Sequence, residues 1–185
     1  MDSDPEPKTA DPLIALLSSY AAQFVRMREF AREARGGART RYVWFVGICG
    51  YALLNAPTLG KALAGGDLSK WQLFVLSVPW VLSALAALIA HVLVDHVEDL
   101  DNEFFVAKAA ALEVGILGLK AGTGDASAVI DAFNDKHPAI SQRKHRVEAI
   151  RGPSLWIGRL TIALLVVSFI WAIVGPLALP WLGLR

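Results

Sequence analysis

Three long stretches of this chain carry no charged side chain, and their spacing dictates the architecture. Tyr42 to Gly60 is free of charge over 19 residues, Trp71 to Val94 over 24 and Leu160 to Leu184 over 25, with His91 the one titratable group of the second. Crossing about 30 Å of hydrocarbon takes roughly 20 residues of helix whose backbone groups bond internally. The pattern predicts an all-α integral membrane protein with three transmembrane helices. Aromatic side chains fall at the ends of these stretches, at Tyr42, Trp44, Trp71, Trp156 and Trp181. Such amphipathic rings favour headgroup depth.

The remaining segments are polar but keep helical periods. After a tail over residues 1–10, read as disordered, Asp11-Pro12 supplies a cap acceptor and a ring pre-set for a first turn. Leu13, Leu17, Tyr20, Phe24, Met27 and Phe30 then recur at threes and fours, and Gly36-Gly37 closes the segment. This predicts an amphipathic helix over 11–37. It either packs on the loop between spans 2 and 3, or on a neighbouring subunit, or lies in the membrane interface with its arginines on anionic headgroups.

Spans at about 42–60 and 71–94 make residues 38–94 a transmembrane hairpin. Asp95, Glu98, Asp99, Asp101 and Glu103 follow without a glycine or proline, while Val97, Leu100, Phe104, Ala107, Ala111 and Leu112 keep the period. One helix is expected to run from the second span to Lys120. The run 121–127 predicts a turn with Ser127 as cap, followed by a short helix carrying Val129, Ile130 and Phe133 and closed by Pro138. A basic helix over 141–151 comes next, and Gly152-Pro153 is expected to reset the chain before the third span, 159–185. Residues 95–158 thus form a helical hairpin too small to bury a substantial core alone. It calls for a partner surface.

Charge sets the orientation. Residues 1–41 hold seven Lys and Arg, six of them Arg26, Arg28, Arg32, Arg35, Arg39 and Arg41, and residues 95–159 hold eight more. Only Lys61, Lys70 and Arg185 lie on the other side. The positive-inside bias predicts a multi-pass protein of the plasma (inner) membrane with a cytoplasmic amino terminus, a cytoplasmic helical hairpin and the carboxyl terminus outside. The six arginines are candidates for contact with the membrane surface.

Composition adds exclusions. The net charge is +1, which points to no nucleic-acid partner. Cys49 is the single cysteine, so no intramolecular disulfide forms. The first ten residues lack a basic run followed by an apolar one, so no signal peptide is expected there.

Candidate chemistry is sparse. His91, Asp95 and Asp99 follow at i, i+4 and i+8, a face able to take a divalent cation or, repeated in an oligomer, to form an acidic ring at a pore mouth. The competing reading is solvated carboxylates past the membrane with His91 as an interfacial cap. Asn55 is placed to bond the carbonyl freed by Pro57 or to bond across helices. Thr161, Ser168 and Gly175 repeat every seven residues, as do Ser77, Ala84 and His91, and small residues at that spacing suit close helix packing or a weakly polar lining. No phosphate loop, serine elbow or zinc motif is present, and no carboxylate, Lys or Arg lies deep in a span. The expectation is a protein without a cofactor and without catalysis.

The first functional expectation is an oligomeric pore or pore-forming effector gated by its cytoplasmic helices. In build, though without a shared motif, the chain resembles the transmembrane effectors of bacterial antiphage systems. The alternative is a non-conducting adaptor that docks a cytoplasmic protein. A metal-dependent enzyme acting on lipids is the third. The expected partners are the bilayer, further copies of the chain and a cytoplasmic protein.

Overall fold

A computed structural model describes residues 10–65 and 67–179. The tail before Ala10 and the segment from Pro180 to Arg185, with Trp181, lie outside the described residues, as do the side chains of Asp11 and Leu13. The structure is 92% helix without strands among the described residues. It consists of α1 (Ala10–Ala64), α2 (Lys70–Lys120), α3 (Ala126–Phe133) and α4 (Pro138–Ala178). The helices α1, α2 and α4 are each long and apolar enough to cross a membrane.

Two expected breaks are absent. Gly36-Gly37 does not end α1, and Gly152-Pro153 does not interrupt α4. Each glycine weakens a helix by about 1 kcal/mol relative to alanine, and a proline removes one hydrogen bond locally. The long helix-forming runs on both sides outlast those local losses, and Thr40 adds a bond from its hydroxyl to the carbonyl of Gly36 at 3.0 Å. The expected continuation of α2 to Lys120 is observed.

The described chain divides into two compact units, one of residues 10–35 with His96–Ile150 and one of Gly36–Asp95 with 151–179. In the first, Leu17 of α1, Leu112 and Ile116 of α2, Val129 and Ala132 of α3 and Ile140 of α4 form the core. Phe24 and Phe133 border it, with Tyr20 edge-on to Phe133 at 5.1 Å. Met27 and Phe30, counted with the same apolar face, are exposed. The turn into α3 is drawn tight, because the amides of Thr123 and Gly124 both donate to the carbonyl of Gly118, at 3.0 and 2.9 Å. A Cβ on Gly124 would sit 2.6 Å from the backbone of Gly118 and Leu119, so only glycine fits. The cap of α3 is Asp125, whose carboxylate accepts from the Ser127 amide at 2.8 Å, rather than Ser127 itself. The carboxylate reaches back two residues, as an Asx cap does. Pro138 begins α4 rather than closing α3, consistent with the preference of proline for a first turn.

In the second unit α2 and α4 pack antiparallel. Leu76, Trp80, Ser83, Ala87 and Ala90 are buried along α2, and Ser154, Thr161, Leu165 and Ser168 along α4. Trp80 meets Phe169 edge-on at 5.0 Å, Leu76 lies against Gly175, and the Trp171 indole N–H donates to the carbonyl of Val75 at 3.3 Å. Cys49 of α1 joins Trp80 and Leu165 in one cluster. Repeats of four and three residues on both helices produce this seam, the geometry of left-handed helix packing.

Candidate functional site

The candidate residues separate into three groups by what they touch. On α4 the seven-residue repeat is a packing seam. Thr161 is fully buried and its hydroxyl bonds the carbonyl of Ile157 at 2.9 Å. Ser168 is fully buried and shares a 2.9 Å hydrogen bond with Ser83. A Cβ on Gly175 would lie 2.6 Å from the Leu76 side chain, so the absence of one sets the approach of α2 and α4.

On α2 the repeat is displaced by one residue from its expected place. Ser77 bonds its own helix, at the Leu73 carbonyl 2.8 Å away, and Ala84 and His91 are half-buried. The hydroxyl that reaches α4 belongs to Ser83, which sequence reasoning missed. Its signal was present, since Leu76, Ser83 and Ala90 repeat at the same interval one residue earlier. Asn55 donates to the carbonyl of Tyr51 at 2.8 Å. It therefore leaves the carbonyl of Leu53, freed by Pro57, to other partners, because the amide geometry of a helix favours its own i−4 oxygen.

The second group is the proposed cation face. His91 Nε2 stands 3.8 Å from Asp95, but Asp95 is held by Arg39 of α1, and Asp99 belongs to the wall of a groove in the other unit. Among the described residues no three His, Cys, Asp or Glu side chains are placed to hold a metal ion. A guanidinium on the carboxylate takes the place a cation would need.

The arginines form the third group, and half of them have protein partners. Arg32 pairs with Glu98 at 3.8 Å and Arg35 with the buried Asp101, both within the first unit. Arg39 pairs with Asp95 within the second. Arg26, Arg28 and Arg41 are exposed. Pairing was legible in principle, since the acidic run at 95–103 offers carboxylates at helical spacing opposite the arginines.

A charged cluster unforeseen in the sequence lies in the first unit. Lys108 is 5% exposed and its ammonium sits 4.5 Å from the Phe24 ring, with Phe104 and Phe133 at 5.8 and 5.7 Å. Asp135, in the left-handed region at φ 60°, bonds Lys108 at 2.5 Å and Lys144 at 3.0 Å. Burial alone pushes the Asp135 carboxyl up, but the hydrogen bonds and charges of the two lysines outweigh it and hold the group below its ordinary value. Lys144 is raised in turn, by its hydrogen bond to Asp135 first. One carboxylate thus ties α2 to the start of α4, beside an aromatic cage already filled by a lysine.

Two grooves open on the first unit, each of about 270 Å³. One is charged, with Arg28, Arg32, Glu98 and Asp99 in its wall; the other is largely apolar, between Phe24 and Val25 of α1 and Phe105, Val106, Ala109 and Ala110 of α2.

No family model, curated protein or solved structure matches the chain. The class rests on the helices alone: the described residues are all-helical in their regular structure, with three helices among them long and apolar enough to span a membrane.

Proposed function

We propose that the chain is a non-conducting membrane adaptor, with the second unit as its anchor and the first as a docking module on the cytoplasmic side. The burial of Thr161 and Ser168 carries this reading. A pore lining needs its polar groups turned to water, and here the hydroxyls are consumed in the seam between α2 and α4. The exposed positions of the same α4 segment include Ile162, Val166, Val167, Ile170, Ile173 and Val174, side chains suited to lipid. The arginine and lysine bias supports the cytoplasmic placement of the docking module. An enzyme acting through metal finds no gathered ligand set among the described residues.

The apolar groove beside Val106 supplies the docking surface, in the manner of a helix laid in a groove. Of the two neighbouring phenylalanines, Phe105 lines the groove while Phe104 packs on the core, so only the former tests docking without loosening the fold. Purified protein in liposomes should release no ions above empty vesicles. A photo-crosslinker at Val106 should give one discrete adduct in cells, lost in Phe105→Ala with insertion unchanged. Steady ion release, with no adduct at Val106, would replace the adaptor by the pore.

A further inference from the structure

Two arginines of the second unit flank a contact between α1 and α4. Arg41 of α1 and Arg159 of α4 are exposed, and neither forms an ion pair among the described residues. Between them the two helices touch, since the Tyr42 hydroxyl lies where a Cβ on Gly158 would stand, 2.5 Å away. Farther along, Cys49 of α1 and Leu165 of α4 belong to one buried cluster, and Ala52 and Ala56 of α1 line one small pocket with Ala172 and Pro176 of α4, so matched positions advance together along both helices. Over these segments α1 and α4 run side by side in the same direction.

That direction fixes where the arginines turn. At 3.6 residues per turn, the residue before a contact on one helix and the residue after it on a parallel neighbour fall on the same side of the pair. Arg41 precedes Tyr42 and Arg159 follows Gly158. Arg39, three residues before Tyr42, points instead to Asp95 of α2, so the two free arginines lie on the side away from α2. Each also has an exposed tryptophan three residues off on its own helix: Trp44, 68% exposed, and Trp156, 64% exposed. Paired guanidinium forks at the end of apolar segments match an anionic headgroup, with its phosphate on the cations, the Trp44 ring toward the glycerol level and the Trp156 ring on the water side.

We infer that Arg41 and Arg159 form a binding site for the phosphate of an anionic phospholipid at the α1–α4 contact. The inference rests on the second unit spanning a bilayer, but not on docking or conduction. It also distinguishes these two from Arg32, Arg35 and Arg39, whose charges are met within the protein.

Native mass spectrometry of the full chain released from micelles with equal phosphatidylglycerol and phosphatidylcholine tests it. The wild type should retain phosphatidylglycerol preferentially. Arg41→Gln with Arg159→Gln should reduce that preference by about fivefold for each arginine, while Arg41→Lys with Arg159→Lys keeps most of it. Arg26→Gln with Arg28→Gln, in the other unit, should leave it unchanged. Should the double glutamine variant fail to fold, Arg159→Gln alone must still show its share of the loss. Equal retention of the two lipids, or an undiminished preference in the glutamine variants, overturns the site. Stabilisation of lipid-free protein by inorganic phosphate equal to that by phosphatidylglycerol would make it a free-anion site and overturn the lipid assignment.

Discussion

The two units of this chain solve the same problem, holding long helices together, by opposite means. In the first, a small apolar core is bordered by charge: Lys108 lies buried among three phenylalanines and is neutralised by Asp135, and Asp101 is buried against Arg35. In the second, the seam between α2 and α4 is built from small residues, aromatic edges and one pair of hydroxyls. On the proposed placement, with the second unit in lipid and the first in water, the difference follows from the surroundings. Lipid offers no hydrophobic gain for bringing apolar helices together, so close approach and a few interhelical hydrogen bonds must do it. A unit in water gains from burying apolar surface, and tolerates buried charge only where it is paired.

The largest contrast should come from Asp135→Asn. Asparagine keeps the left-handed backbone that Asp135 adopts but strands the Lys108 ammonium without a counter-ion. Loss of one partner from a buried pair costs about 3–5 kcal/mol. Hydrogen exchange should rise throughout α3 and the adjoining end of α2, with no change along the α2–α4 seam. Exchange rising equally in both units would remove the contrast.

Acid should act on the same clasp. Because the Asp135 carboxyl is held below its ordinary value, its contribution is present above the unfolded value of about 3.9 and disappears as pH falls through the lower folded one. Near-ultraviolet circular dichroism from the Tyr20 and Phe133 contact should therefore weaken on acidification toward pH 3. In Asp135→Asn that transition should be missing. A variant that keeps it would assign the acid response to other carboxylates.

Gly175→Leu probes the second unit. A leucine there collides with the Leu76 side chain, and overpacking of this kind costs about 1–3 kcal/mol. Thermal midpoints in detergent should fall, while exchange in α3 stays as in the wild type. Ser83→Ala is the gentlest change. It removes the bond to Ser168, an interhelical hydrogen bond of about 0.6 kcal/mol in membrane proteins, and should lower the same midpoint only slightly.

These contrasts explain what could be read in advance. The uncharged stretches, the extension of α2 to Lys120 and the α4 repeat of Thr161, Ser168 and Gly175 were all legible, because length and period alone determine them. The α2 seam was misplaced by one residue since Leu76 and Ser83 repeat at the same interval as Ser77 and Ala84, and only packing chooses between neighbouring rows. Glycine and proline at 36–37 and 152–153 looked like punctuation, but a local penalty does not break a helix sustained on both sides. The Asp135 clasp escaped because its members lie at 108, 135 and 144, brought together by a turn that no period announces.

The Ser83 bond carries a further lesson about alignment. Sliding α4 by two turns along α2 would set Thr161 opposite Ser83 and preserve a hydroxyl pair, so the polar contact by itself tolerates two registers. The glycine favours one, because the same slide exchanges Gly175 for Ser168 against Leu76, whose Cδ2 would have to turn away from the added side chain. A missing side chain thus acts as the key, and the hydrogen bond only as the latch that it allows to close.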